Sequence, residues 1–282
     1  YYDLESQQVF TQTFQTENGR GLGDTANDFE KYVLNGKAYI LIAVDISSQL
    51  EVVEANTLKS VAQIPVFDGT TARHPRRIEI YGTTAFVCNF DGTVSVVDLV
   101  TNSIVNTLQT GANPDGMVQV GSNLFVSNSG GLNYPVYDST MTVIDMNTLT
   151  ITDTIQTRIN SSTLVVDSQQ EIYLLSAGNY GSQGPALLRI SSVGKTVLQE
   201  FNEPITAMTA AGDWLYYYDS DAQAVRRFNL LTETFEGIDR MDGTGFETFF
   251  AIQYVPELDL IFCFDAKGYV NSSLVHAYST SG

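Results

Sequence analysis

The chain has 282 residues, 43 % of them hydrophobic and 11 % aromatic, a composition that suits a globular domain with a sizeable core. Its 32 acidic and 14 basic residues give a formal net charge of −18, which repels polyanions and leaves no basic stripe, so nucleic acid is excluded as a partner. No run approaches the roughly 18 apolar residues that a membrane helix needs, so no span is expected.

In chain order, the first phrase, "YYDLESQQVFTQTF", reads as an apolar strand ending in an acidic residue, a polar turn and a second strand. It assigns residues 1–20 to the third and fourth strands of one repeat. The phrase returns as "VVEANTLKSVAQI" from Val52, "VVDLVTNSIVNTL" from Val96 and "VIDMNTLTITDTI" from Val143, and more loosely as "RFNLLTETFEGI" from Arg227. Third strands are also read near Leu188 and, in "SSLVHAYS", near Val275. Between the hairpins runs another phrase, a polar turn and then an aromatic in an apolar run: "NGKAYILIAV", "YGTTAFVCNF", "VGSNLFVSNS", "SQQEIYLLSA", "AGDWLYYYDS" and "PELDLIFCFD". Its aromatics, Tyr39, Phe86, Phe125, Tyr173, Tyr216 and Phe262, are 39–48 residues apart.

That period with four short strands per repeat predicts an all-β fold, a β-propeller of four-stranded antiparallel blades, with segments such as "RRIEIY" and "GMVQV" as the first, channel-lining strands. Seven third strands predict seven blades. The boundaries fall at about residues 24–73, 74–111, 112–158, 159–202 and 203–244, with an incomplete blade over 245–282 and one domain over 1–282. Because the chain starts and stops at third strands, flanking sequence is expected to be trimmed. Cys88 and Cys263 sit in second strands of different repeats and are expected to be free and buried.

The segments "ENGRGLGDTANDFEKY" from Glu17, "RHPRRIEIYGTTAFVCNFDGTV" from Arg73, "GANPDGM" from Gly111, "SNSGGLNYPVYDSTMTVID" from Ser127 and "SAGNYG" from Ser176 occur in this order along the whole chain. In them the chain resembles the YncE-like, YVTN-type seven-bladed propeller lipoproteins on the surface of Bacteroidetes bacteria, the group that includes the cobalamin-capturing BtuG. The resemblance implies a cell-surface, outer-membrane location with a lipid anchor carried by an N-terminal segment outside this chain. It also implies cobalamin as ligand and an outer-membrane transporter as partner.

Read as residues, the loops joining second to third strands and those entering first strands are where ligand chemistry is expected. Asn128 to Thr140 is the longest of them, with Tyr134 and Tyr137 offering flat faces and hydroxyls; the plainer alternative has both packing on the neighbouring blade. Asn179 and Tyr180, in "AGNYGSQGP", repeat that chemistry one blade later. Arg76, in the densest basic cluster, is placed to hold an anionic group or to neutralise nearby carboxylates. Asp115 in "NPDG" and Asn27 and Asp28 in "NDF" are turn formers that also stand where a ligand would pass. Asn128 and Phe90 complete the expected mouth.

Asp219, Asp221 and Asp265 invite a calcium reading, but their spacing lacks the later acidic ligand of an EF-hand loop, so no metal and no cofactor are expected. With only His74 and His276 as histidine bases and no nucleophile motif, no catalytic residue is assigned. The expectation is a non-catalytic protein that captures a bulky polar small molecule. The alternatives are a glycan-binding module and a protein-interaction scaffold beside a transporter, and the fold also leaves open a lyase- or lactonase-type propeller enzyme.

Overall fold

A computed structural model of the chain describes residues 2–3, 6, 8–242 and 245–280. It opens with β1 (Tyr2–Asp3), β2 (Gln8–Val9) and a six-residue helix α1 (Thr13–Asn18). Six sheets of blade type follow. The first blade is β3 (Ala26–Leu34), β4 (Lys37–Val44), β5 (Gln49–Glu54) and β6 (Ser60–Pro65), followed by a small hairpin of β7 (Phe67–Asp68) and β8 (Thr71–Ala72). The second is β9 (Pro75–Tyr81), β10 (Thr84–Asn89), β11 (Thr93–Asp98) and β12 (Ser103–Gln109), and the third is β13 (Pro114–Val120), β14 (Asn123–Asn128), β15 (Thr140–Asp145) and β16 (Thr150–Gln156). The fourth is β17 (Ser161–Val166), β18 (Ile172–Ser176), β19 (Ala186–Ser191) and β20 (Thr196–Phe201). The fifth is β21 (Ile205–Ala211), β22 (Trp214–Asp219), β23 (Ala224–Asn229) and β24 (Thr234–Asp242), and the sixth has three strands, β25 (Phe249–Val255), β26 (Leu260–Asp265) and β27 (Leu274–Ser279). Each sheet is antiparallel with sequential neighbours paired, as a meander requires.

Among the described residues there are therefore six blades, not the seven expected. The surplus came from the opening phrase, which has the hairpin pattern of a third and a fourth strand. A blade hairpin is stable because its third strand pairs with an aromatic second strand; among the described residues β1 pairs with β2 alone, over two residues each. The expected fourth strand is instead interrupted by α1, which is fixed to the first blade: Asn18 donates to the Leu58 carbonyl at 2.9 Å and accepts from the Ser60 amide at 2.7 Å, while Arg20 reaches the buried Glu51 at 2.8 Å. Tyr1, Ser281 and Gly282, to which strand ends were also assigned, lie outside the described residues.

Burial follows strand rank. Second strands such as Ala85-Phe86-Val87-Cys88 and third strands such as Val94 to Val97 are covered on both faces, which explains their unbroken apolar runs. Fourth strands are mostly exposed, as in β16 and β20. The six aligned aromatics, Tyr39, Phe86, Phe125, Tyr173, Tyr216 and Phe262, all lie on second strands. The acidic or amide residue closing a third strand builds the hairpin turn: Asp98 accepts the Val100 amide at 2.7 Å, Asp145 the Asn147 amide at 2.9 Å and Asn229 the Leu231 amide at 3.0 Å. A left-handed residue then completes each turn, at Asn102, Leu149 and Glu233.

The chain forms two compact units, residues 1–126 with 144–152 and residues 127–143 with 153–282. In the first unit, one core joins Leu41, Leu50 and Val52 to Ile78, Val87 and Val97, and another joins Phe86, Val94 and Val96 to Leu124, Val126 and Ile144. In the second, Tyr173 and Leu187 pack with Leu215, Tyr217 and Phe228, and Tyr216 and Val225 pack with Ile252, Ile261 and Cys263. Each core is shared by successive blades, so no blade buries its faces alone. No helix among the described residues is long and apolar enough to cross a membrane.

Cys88 on β10 and Cys263 on β26 are free and buried, and burial pushes both thiols up to about 12. Titration with a thiol reagent at neutral pH is expected to label neither residue in the native protein and both after unfolding without reductant.

Candidate functional site

One irregularity recurs at the start of the first strands. On β3, Ala26 and Asp28 pair with adjacent residues of β4, leaving Asn27 outside the ladder; Arg76 on β9, Thr206 on β21 and Phe250 on β25 are left out in the same way, and the extra residue of β17 falls at Ser162–Thr163. These are β-bulges, which bend a strand and re-aim the unpaired side chain. Asp115 is likewise the second residue of its strand, β13. The same place in six repeats is thus held by Asn27, Arg76, Asp115, Ser162, Thr206 and Phe250, six different residue types.

In the first unit these residues engage one another and the preceding turns. Arg76 pairs with Asp115 at 2.8 Å and lies over the Phe90 ring, 4.1 Å from its centroid, so three expected site residues form one cluster and the guanidinium already has its counter-charge. Asn113, in the left-handed conformation, donates to the Phe90 carbonyl at 2.7 Å and fixes that cluster. Asn27 donates to Asp45 at 2.9 Å, and the other oxygen of that carboxylate meets His74 Nδ1 at 2.9 Å. Asp28 accepts the Ile78 amide at 2.9 Å and stands near Glu30 and Glu79.

In the second unit, two loops of successive blades meet. The Asn128–Thr140 loop turns back at Gly130, where a Cβ would overlap the backbone at Asp138, and Asp138 accepts the Thr140 amide at 2.8 Å. Tyr134 and Tyr137 pack edge to face with centroids 6.2 Å apart, and Tyr137 meets Tyr180 of the next loop in the same manner at 6.4 Å. Tyr137 is half-buried between its partners; burial, and then the Tyr180 and Tyr134 hydroxyls, hold its own hydroxyl above the ordinary range. Tyr134 and Tyr180 are 74 % and 79 % exposed. The tyrosines therefore do both things considered for them: they pack on one another and still present open faces.

The two expected asparagines are placed differently. Asn128 is buried, donating to Thr140 and Thr142 at 2.9 and 3.0 Å, and its Oδ1 has no partner among the described residues. Asn179 uses its Oδ1 to accept the Gly181 and Gln183 amides at 3.0 and 2.9 Å, so it shapes the second loop. That loop is further held by Asn160 on the Gly178 carbonyl and Arg158 on the Gly184 carbonyl, at 3.1 and 3.2 Å.

Under the second loop lies a cavity of about 400 Å³. Its lining includes the buried Leu175 and Ile205, Tyr180 and Pro185 of the loop, and Ser162 and Thr206, first-strand residues of two successive blades. Sequence reading singled out neither Ser162 nor Thr206. Comparing the second residue of every first strand across the repeat would have found them beside Asn27, Arg76 and Asp115.

The acidic turns serve the backbone. Asp219 accepts the Asp221 and Ala222 amides and pairs with Arg226 at 2.8 Å; Asp265 accepts the Glu247, Thr248 and Lys267 amides and pairs with Lys267 at 2.7 Å. Among the described residues no cluster of three or more His, Cys, Asp or Glu is arranged to hold a metal ion. His276 packs edge-on against Phe246 with centroids 4.9 Å apart.

Solved structures give the comparison that decides the architecture. The hydrazine synthase of Kuenenia stuttgartiensis matches with a TM-score of 0.55 at 13 % identity over 85 % of this chain and 92 % of its own, and the computationally designed protein Ika8 with 0.60 at 12 % identity over 92 % and 73 %. The fold is a β-propeller. At these identities the likeness extends to the fold alone. No protein-family model matches the chain, and no curated protein matches it.

Two outcomes follow for this propeller. Burial and the neighbouring Glu30 and Asp28 carboxylates raise Glu79 to about 8. A carboxyl raised in the folded state favours folding only while protonated, so this contribution is complete below pH 4.5 and is lost as pH climbs through about 8. Glu79→Gln is expected to raise the melting temperature by more than about 2 °C at pH 8 and to change it little at pH 4, read by calorimetry at both values. Gly178 has φ of +68°, and a Cβ there would overlap the Gln183 and Gly184 carbonyl oxygens. Gly178→Ala should therefore distort the second loop and destabilise the chain by at least about 1 kcal/mol, measured by urea unfolding.

Proposed function

We propose that this propeller captures a bulky polar small molecule without changing it chemically, and that the ligand lands on Tyr134, Tyr137 and Tyr180. The observation that carries this reading is the meeting of three tyrosines from two successive blade loops, two of them largely exposed, on loops whose backbones are fixed by Gly130, Gly178, Asp138 and Asn179. Exposed aromatic faces with hydroxyls on preformed loops give contact area at little entropic cost, which suits a large ligand held by dispersed contacts.

A corrinoid such as cobalamin is the ligand we put first. Its support is the resemblance to the YncE-like, BtuG-like group, two of whose phrases, "SNSGGLNYPVYDSTMTVID" and "SAGNYG", build this platform. The same kinship supports a place on the bacterial cell surface beside an outer-membrane transporter. A glycan is the second reading, favoured by the uncharged wall of Tyr180, Ser162 and Thr206 next to the platform.

Isothermal titration with cyanocobalamin, and in parallel with neutral oligosaccharides, tests the reading. Wild-type protein should bind one of them, and replacing both Tyr134 and Tyr180 by Ala should weaken it at least about tenfold, or 1.4 kcal/mol, with little change in melting temperature because both rings are exposed. Heat with oligosaccharide alone assigns a glycan ligand; heat undiminished in the double variant removes the platform; heat with neither ligand removes the capture reading in both its forms.

A further inference from the structure

Within each unit, successive first strands bring their second residues near each other, and the chemistry of the neighbours decides what lies between them. In the first unit the neighbours Arg76 and Asp115 close on each other as an ion pair. In the second unit the neighbours are Ser162 and Thr206, which have short side chains with no charge, and the space between their strands stays open as the cavity of about 400 Å³. The buried Leu175 and Ile205 and the exposed Tyr180 line it, and none of its lining residues is Asp, Glu, Lys, Arg or His, in a chain in which 16 % of residues are charged. The side-chain hydroxyls of Ser162 and Thr206 have no partner among the described residues, whereas that of Ser220 at the rim donates to the Pro204 carbonyl at 3.2 Å. An apolar cavity of a few hundred Å³ with a few convergent polar groups is the general form of a small-molecule subsite.

We propose that this cavity is a subsite for an uncharged aryl or heteroaryl group, with Tyr180 packing against the ring and Ser162 and Thr206 hydrogen-bonding its polar edge. The inference deepens the capture reading and rests on it: the tyrosine platform receives the body of the ligand, and the cavity selects a neutral aromatic appendage. Selectivity against charge follows from the lining, because an ammonium or carboxylate entering it would lose its hydration and meet no opposite charge. The bulge residues Ser162 and Thr206 are thereby specificity-determining, since an ionisable residue at either place would supply that charge.

The test uses indole as a neutral probe, with indole-3-acetate and tryptamine as its anionic and cationic counterparts, by titration calorimetry and ligand-observed NMR on the full chain. Indole should bind, and both charged analogues should bind at least about tenfold more weakly. Thr206 is exposed and lies outside the strand ladder, so Thr206→Trp should fold and fill the cavity, reducing indole affinity at least about tenfold; Ala177→Leu, at another lining residue, is the second filling variant should the first fail to fold by circular dichroism. Val100→Ala, at an exposed turn of the second blade, should leave indole binding within about twofold, and the cyanocobalamin and oligosaccharide titrations read the platform separately from the subsite. The proposal is overturned if wild-type protein does not bind indole, if filling the cavity leaves the affinity unchanged, or if only the anion is disfavoured, since that pattern reports the field of the −18 net charge and not the cavity wall.

Discussion

A first strand that carries one residue more than its partner can pair is the constraint from which the chemically variable surface of this propeller follows. Antiparallel pairing fixes side chains alternately on either face, so a residue held in the ladder is committed to a blade core or to the opposite side. The bulge releases one residue per strand from that commitment, as the registers of β3, β9, β21 and β25 show at Asn27, Arg76, Thr206 and Phe250. What stays in the ladder is more uniform in chemistry, with largely apolar second and third strands that are buried in most blades, as in β10, β11, β14 and β15. What leaves the ladder is asparagine, arginine, serine, threonine or phenylalanine. The fold thus separates positions that must be apolar from positions that are free to differ.

The two units use that freedom in opposite ways. In the first, polar side chains neutralise each other: Arg76 with Asp115 and Phe90, and Asn27 and His74 with Asp45. Pairing a charge lowers the cost of withdrawing it from water and leaves little for a ligand to claim. In the second, the released residues are small and neutral, and the neighbouring loops present aromatic rings that touch only at their edges. Gly178 and Asn179 matter here as loop architecture, because the loop that roofs the cavity and carries Tyr180 turns on their backbone.

Much of the architecture was legible because its causes are local. A β-branched and aromatic run marks a buried second strand, and an Asp or Asn followed by a polar turn marks the hairpin after it, as Asp98, Asp145 and Asn229 show. The blade count was not legible. "YYDLESQQVFTQTF" satisfies every local requirement of a hairpin, but a blade also requires a second strand to pair with, and among the described residues β1 has β2 alone. The site divided along the same line. Arg76 and Asp115 stood out by charge and Tyr134 and Tyr180 by size, and the structure brings each pair into one cluster or platform. Ser162 and Thr206 carry no signal of their own; their meaning lies in the register of the strand. Asn179, outwardly similar to a ligand-facing amide, is consumed by two backbone N–H groups of its own loop.

The central claim is that the fold does not depend on the second residues of its first strands. The direct measurement is urea unfolding of a variant with Asn27, Arg76, Asp115, Ser162, Thr206 and Phe250 all replaced by Ala. Removing Arg76 and Asp115 together leaves no uncompensated charge, and the other four lie outside the blade cores. The account predicts a folded protein, with an unchanged denaturant slope and a loss of no more than about 2–3 kcal/mol across all six sites. Loss of the cooperative transition would contradict it, because the bulge residues would then be holding the blades together.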